Sequence, residues 1–159
     1  MKIKVGILTI STSCYYKGVE DRSGKEIENI CKDIGLEVLV RDLVPDNKRM
    51  IKKKLKYFSD RLKLDIVFTT GGTGLGPADI TPEATLEIGE RVVPGIPEFI
   101  RAKSMRWTKY SILSRAVAVI RKKTLIINLP GSPKGARQSL NLIKNLFPHI
   151  VEIMAGGHH

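Results

Sequence analysis

Residues 65–85 read DIVFTTGGTGLGPADITPEAT, and the order of elements in this stretch organises the rest of the chain. Ile66, Val67, Phe68, Thr69 and Thr70 are a short run of β-formers, the pattern of a buried strand. The run breaks into Gly71-Gly72-Thr73-Gly74-Leu75-Gly76, where glycine permits positive φ and close approach of a ligand to the backbone. Thr81-Pro82-Glu83 then opens a helix, with Thr81 as its cap and Pro82 suited to its first position. Strand, glycine loop and helix start together make an anion site, because backbone N–H groups and the positive end of the helix dipole face the ligand. Neither familiar phosphate loop fits. A Walker loop needs Lys after Gly76, a dinucleotide fingerprint begun at Gly72 needs glycine there, and Pro77 fills the position. Asp79 lies between loop and helix, and its charge is tolerable beside phosphate only with a cation between them, which points to Mg²⁺. The plainer alternative is a turn that merely joins strand to helix.

Outward from this stretch, strands and helices alternate. Residues 3–10 read as a first strand and 11–21 as a polar loop; a helix then follows Ser23-Gly24, with Ile27, Ile30, Cys31 and Ile34 on one face and Gly35 at its end. A second strand covers 36–44 and stops at Pro45. Asp46 or Asn47 caps a helix bearing Ile51, Leu55, Phe58 and Leu62. Beyond the central strand come a helix over 81–91, an irregular proline-rich stretch over 92–97 and a short helix over 98–105. Residues 116–121 and 124–129 read as a hairpin around Lys122-Lys123. Leu129-Pro130-Gly131-Ser132-Pro133 repeats the central logic, with Ser132 capping a helix that carries Ala136, Leu140, Ile143 and Phe147. A last short helix covers 148–154. The fold class is α/β: three layers, a mostly parallel sheet with helices on both faces, and a short antiparallel hairpin. One domain is expected over 1–159.

Bulk properties narrow the function classes. Hydrophobic residues at 42% and charged residues at 27% suit a globular domain, and no apolar run reaches the roughly 18–20 residues of a membrane span. The N-terminus enters a strand directly and lacks a small-residue cleavage site, so a cytoplasmic protein with reduced Cys14 and Cys31 is expected. Much of the net charge of +11 sits in Lys48, Arg49, Lys52, Lys53, Lys54 and Lys56 on one helix, read as a solvated face. Aromatics at 6% and the lack of a stacking motif leave nucleic acid supported by charge alone. His149, His158 and His159 lack metal-ligand spacing and receive no role.

In parallel α/β sheets, ligands bind outside the carboxyl ends of the strands. Thr9 to Ser13, Asp46, Gly71 to Asp79 and Gly131-Ser132 all fall at or after the ends of predicted strands, so they converge on one cleft. Asp46 and Asp79 become candidate metal ligands, since two carboxylates with waters and substrate phosphates suit Mg²⁺. An ordinary helix cap is the alternative at Asp46, and capping together with Ser23 is the plain reading of Asp21, in Glu20-Asp21-Arg22-Ser23-Gly24.

TTGGTG, Asp79 five residues on, and TPEAT resemble the molybdopterin adenylyltransferase family, the Mog- and MoaB-type proteins and the related domain of gephyrin. The resemblance runs along nearly the whole chain and includes LSRAVAVIRKKTLIINLPGSP at 113–133. It implies a molybdopterin-binding-like fold, with ATP and molybdopterin as substrates and Mg²⁺ as cofactor. The implied reaction moves AMP from ATP onto the terminal phosphate of molybdopterin and releases pyrophosphate; a binding-only protein of the same family is the alternative. Asp46 and Asp79 would be catalytic and metal-binding. Thr9, Ser11, Thr70, Gly71, Gly72, Thr73, Gly74, Thr81, Ser114, Arg115, Pro130, Gly131 and Ser132 would bind substrate, with Arg115 gripping phosphate or dithiolene. The resemblance also implies a homotrimer or hexamer and the molybdenum-insertion protein as partner, and neither nucleic acid nor membrane. Two positions depart from the pattern: Ala78 where many members carry Arg, and Thr12 where relatives carry Asp.

Overall fold

The run Ile66–Thr70 is buried along its whole length and forms β3 at the centre of the sheet. The structure, a computed structural model, describes residues 2–158, so His159 lies outside the described residues. Around β3 the strands β1 (Lys4–Ile10), β2 (Glu37–Val44), β4 (Arg91–Val92), β5 (Ala118–Arg121) and β6 (Thr124–Leu129) complete one sheet in the order β2-β1-β3-β6-β5-β4. β2, β1, β3 and β6 are mutually parallel, and β5 and β4 add an antiparallel edge.

Side chains alternate across the sheet with the period of two that a pleated strand imposes. Val5, Ile7, Ile66, Phe68, Leu125, Ile127 and Leu129 face one core. There they meet α2 (Arg22–Asp33), α5 (Gly95–Ser104), α6 (Pro133–Ile143) and α7 (Phe147–Met154). Leu8, Val67 and Ile126 face the other, against α3 (Lys48–Lys56) and α4 (Thr81–Ile88). Phe68 and Phe147 meet edge-on at 5.4 Å between ring centroids. The three-layer arrangement expected from the sequence is present, and so is the hairpin expected over 116–129, its first strand beginning at Ala118. Among the described residues no helix is long and apolar enough to cross a membrane.

Four local expectations need correction. The polar loop after β1 contains a short helix, α1 (Thr12–Lys17), because the Ser11 hydroxyl accepts from the Cys14 amide and caps it. The helix predicted over 81–91 stops at Ile88, where extended Gly89 breaks it, and Arg91–Val92 pairs with β5 instead. Thr81 does not cap α4: the cap residue is Ile80, with no side-chain bond, and Pro82 is the second helical residue. The helix bearing Ile51, Leu55 and Phe58 widens after Lys56 into a π turn over Tyr57–Arg61. Arg121 grips Asp60 of that turn at 2.8 and 3.0 Å and also donates to the Ile88 carbonyl, so the turn is tied to the end of β5.

The lysine-rich face of α3 is only partly solvated. Lys48 and Lys52 reach Glu87 on α4 at 2.8 and 2.7 Å, and Lys54 bonds Asp42. The two ammonium groups, Lys48 foremost, hold the Glu87 carboxyl down to about 2. Their contribution is therefore complete above the ordinary glutamate range and is lost as pH falls toward 2. Among the described residues Lys53 and Lys56 have no such anchors, and both are exposed. Replacing both with Glu is expected to move stability by no more than about 0.5 kcal/mol, read by thermal melting; a larger loss would show that this half of the face has a partner.

Candidate active site

The strand order reverses between β1 and β3: the chain leaves β1 for β2 on one side, whereas after β3 it goes on to β4, β5 and β6 on the other. That switch point is where parallel α/β sheets bind ligands. The loops leaving β1, β3 and β6 touch there. Gly71 has φ of 102° and lies so close to β1 that a Cβ would stand 2.3 Å from the Ile10 carbonyl oxygen. A Cβ on Gly131 would stand 3.2 Å from the Gly71 Cα. The Thr70 hydroxyl donates to the Pro130 carbonyl at 2.6 Å, which ties the ends of β3 and β6 together. The Thr81 amide and hydroxyl donate to the carbonyls of Gly72 and Gly71, at 3.1 and 2.9 Å. The start of α4 is thus folded back onto the glycine turn, and this use of the hydroxyl is why Thr81 is not a cap.

Two cavities open along this edge. One, of about 540 Å³, is lined by Thr9, Ser11, Thr12, Asp46, Thr70, Gly71 and Asp79 among others. The second, of about 670 Å³, is lined by Thr73, Gly74, Pro97, Ile100, Leu113, Ser114, Asn128, Pro130 and Ser132, with further groups from α5 and α6. Gly72, Asp79 and Gly131 line both. Asp46 and Asp79 therefore face a common cavity, and Asp79 stands on the wall it shares with the other.

Asp46 is not the cap of α3, since Asn47 accepts from the Met50 amide at 3.0 Å. Its carboxylate takes the Thr12 hydroxyl at 2.8 Å, and its amide donates back to that hydroxyl oxygen at 3.1 Å. Thr12 thus supports Asp46 as a neutral donor. Asp79 accepts from the Gly76 amide at 2.9 Å and donates its own amide to the Gly76 carbonyl at 3.0 Å. Oδ1 of each carboxylate is unpaired among the described residues. Among those residues no three His, Cys, Asp or Glu side chains form a metal cluster. Two hard oxygen donors fit Mg²⁺, which fills its remaining positions with water and phosphate.

Several cavity residues also cap helices. Asp21 accepts from Gly24 at the start of α2 and takes the Thr9 hydroxyl at 2.8 Å. Ser132 accepts from Gly135 at the start of α6.

The Arg115 guanidinium is engaged within the protein. Its Nε donates to the Gly74 carbonyl at 2.8 Å and its Nη2 to the Asp79 carbonyl at 2.6 Å. Nη1 and Nη2 bind the Glu83 carboxylate at 2.7 and 3.1 Å. Four of the five guanidinium N–H donors are occupied within the protein, and Arg115 lines neither cavity. The ion pair keeps the Glu83 carboxyl below its usual range.

Asn128 was absent from the sequence-based site. It is buried, and its amide donates to the hydroxyls of Thr69 and Thr85 at 2.9 and 3.0 Å while its Oδ1 accepts from Val117. Thr85 in turn donates to the Thr81 carbonyl, so a polar chain runs through the core to the glycine turn. A lone amide within the apolar run TLIINL was the available signal, because a buried polar group needs partners.

The family of probable molybdopterin binding domains matches residues 6–149. The molybdopterin adenylyltransferase of Helicobacter pylori (strain J99) is 38% identical over 158 residues, covering 98% of this chain and 90% of that protein. The molybdenum cofactor synthesis protein cinnamon of Drosophila melanogaster is 37% identical over 153 residues, 96% of this chain but only 26% of that longer protein. The crystal structure of the molybdopterin biosynthesis enzyme MoaB from Thermus thermophilus superposes with a TM-score of 0.91 at 45% identity, covering 97% of each chain. With its glycine turn, paired carboxylates and two adjoining cavities on that shared fold, the chain belongs to the molybdopterin-binding domain family of molybdenum cofactor biosynthesis.

Proposed function

We propose that this protein is a molybdopterin adenylyltransferase, moving AMP from ATP onto the terminal phosphate of molybdopterin. The observation that carries the reading is the position of Asp79 on a wall common to two cavities of different character. The smaller cavity is rich in hydroxyls and carboxylates and adjoins the glycine turn, which suits a nucleotide and its phosphates. The larger combines Pro97, Ile100 and Leu113 with Asn128, Gln138 and several serines, which suits a flat heterocycle edged with polar atoms.

The two phosphates then meet beside Asp79. An oxygen of the molybdopterin phosphate bonds to the α-phosphorus, the bond from that phosphorus to the β-phosphate oxygen breaks, and pyrophosphate leaves. The chemistry needs alignment and charge balance more than covalent help. Mg²⁺, when bound, neutralises phosphate charge. Asp46 and Asp79 would hold it, Thr12 orients Asp46, and the 72–74 amides are left for the phosphates, the Gly71 amide being bonded to the Leu129 carbonyl. The names of the curated relatives support catalysis over binding alone. Exposed Phe99, Met105, Trp107, Tyr110 and Ile112 support self-association into the trimer or hexamer expected of the family, which light scattering would test.

Incubation with ATP, Mg²⁺ and molybdopterin is expected to yield pyrophosphate and adenylyl-molybdopterin only when all three are present. Molybdopterin binding without pyrophosphate release would establish the binding-only alternative.

A further inference from the structure

We propose, on the reading that the site transfers AMP, that Arg115 and Glu83 are positioning residues that lock Asp79 onto the wall between the two cavities. Among the described residues, the 73–79 loop is held from within only by the two hydrogen bonds between Gly76 and Asp79. It contains Gly74 and Gly76, and residues 75–78 are exposed, so its ordering costs more chain entropy than most loops. Arg115 supplies the missing constraint at three points. Its amide donates to the Thr73 carbonyl at 2.8 Å, and its guanidinium takes the carbonyls of Gly74 and Asp79. The fourth anchor is Glu83 in the first turn of α4, an element packed into the core. A planar fork that binds two carbonyls and a carboxylate together fixes direction as well as distance, which a lysine cannot do.

The far side of this clamp is also secured. Arg101 of α5 donates to the carbonyls of Ser114 and Ala116 at 3.3 and 2.9 Å, and the Ser111 hydroxyl donates to the Arg101 carbonyl. Ser114 and Ala116 line the larger cavity, whereas the Arg115 between them reaches the loop instead. Ser114 and Ala116 therefore border the space assigned to one substrate, while Arg115 between them holds the backbone of the residue whose carboxylate serves the transfer. Arg115 acts through Asp79 and contacts no reacting atom.

Three variants test this: Arg115→Met, Arg115→Lys and Glu83→Gln. Amide hydrogen exchange at Gly76 and Asp79 needs no substrate and reads the clamp directly. In Arg115→Met it is expected to rise about tenfold or more, with the strands unchanged, and kcat to fall about tenfold while KM for ATP stays within about threefold. Arg115→Lys should behave like Arg115→Met. Glu83→Gln keeps the carbonyl bonds and is expected to shift both readouts the same way by a smaller factor, and it serves if Arg115→Met fails to fold. Unchanged exchange at Gly76 and Asp79 overturns the clamp, and a loosened loop with normal kcat overturns its part in positioning. A wild-type protein without adenylyl transfer overturns the function instead, and the exchange data still decide the clamp.

Discussion

Asp79→Asn is expected to give a folded, thermally stable protein whose adenylyl transfer falls about a hundredfold or more, the scale seen when an electrostatic group is lost from a transition state. The fold should survive because asparagine keeps an oxygen that can accept from the Gly76 amide, the bond Asp79 makes at 2.9 Å. The backbone amide of residue 79 and its link to the Gly76 carbonyl are untouched. What disappears is the negative charge on the wall shared by the two cavities, where a cation and the transferring phosphate would need it. Nucleotide should still bind, since the 71–74 backbone does not change. Near-normal turnover at saturating Mg²⁺ would remove Asp79 from the reaction and leave it as a loop staple.

The second large effect is on the fold of the site. Gly71→Ala must accommodate a φ of 102° and a Cβ 2.3 Å from the Ile10 carbonyl oxygen, a backbone atom that cannot swing away. Left-handed strain of about 1–2 kcal/mol and overpacking of about 1–3 kcal/mol together give a loss of roughly 2–5 kcal/mol. For a chain of this size that is a fall of about 4–20 °C in Tm. Gly18→Ala is the internal control: its φ is also positive, at 66°, but a Cβ there meets nothing within 4 Å. Its loss should be confined to the backbone strain. If the two variants melt together, the loops after β1 and β3 are not in contact as described.

The legible parts of this protein were those written in local pattern. The run Ile66–Thr70 and its glycine break announce a buried strand and a turn, because burial and positive φ select particular residue types. The meeting of Asp46 and Asp79 was also within reach, since parallel strands deliver their following loops to one edge. The protein partners of Arg115 are not legible in the sequence because they include the carbonyls of Gly74 and Asp79, groups that every residue carries and no sequence distinguishes. Thr81 looked like a cap for the same reason, as its true acceptor is the Gly71 carbonyl. The short helix Thr12–Lys17 buries no residue, so it leaves no apolar periodicity to find. The π turn over Tyr57–Arg61 depends on Asp60 meeting an arginine 61 positions away, a match invisible from either end alone.

The wall common to both cavities has a kinetic consequence for the proposed reaction. On that reading adenylyl-molybdopterin would span Gly72, Asp79 and Gly131, which line both cavities, and would keep the contacts of AMP and of molybdopterin in one molecule. A joined ligand loses translational freedom once for two sets of contacts, so it dissociates more slowly than either half. The first turnover then outruns the later ones, giving a burst of pyrophosphate followed by a steady rate limited by release. A downstream protein that accepts the adenylylated product from this edge would raise that steady rate without touching the burst.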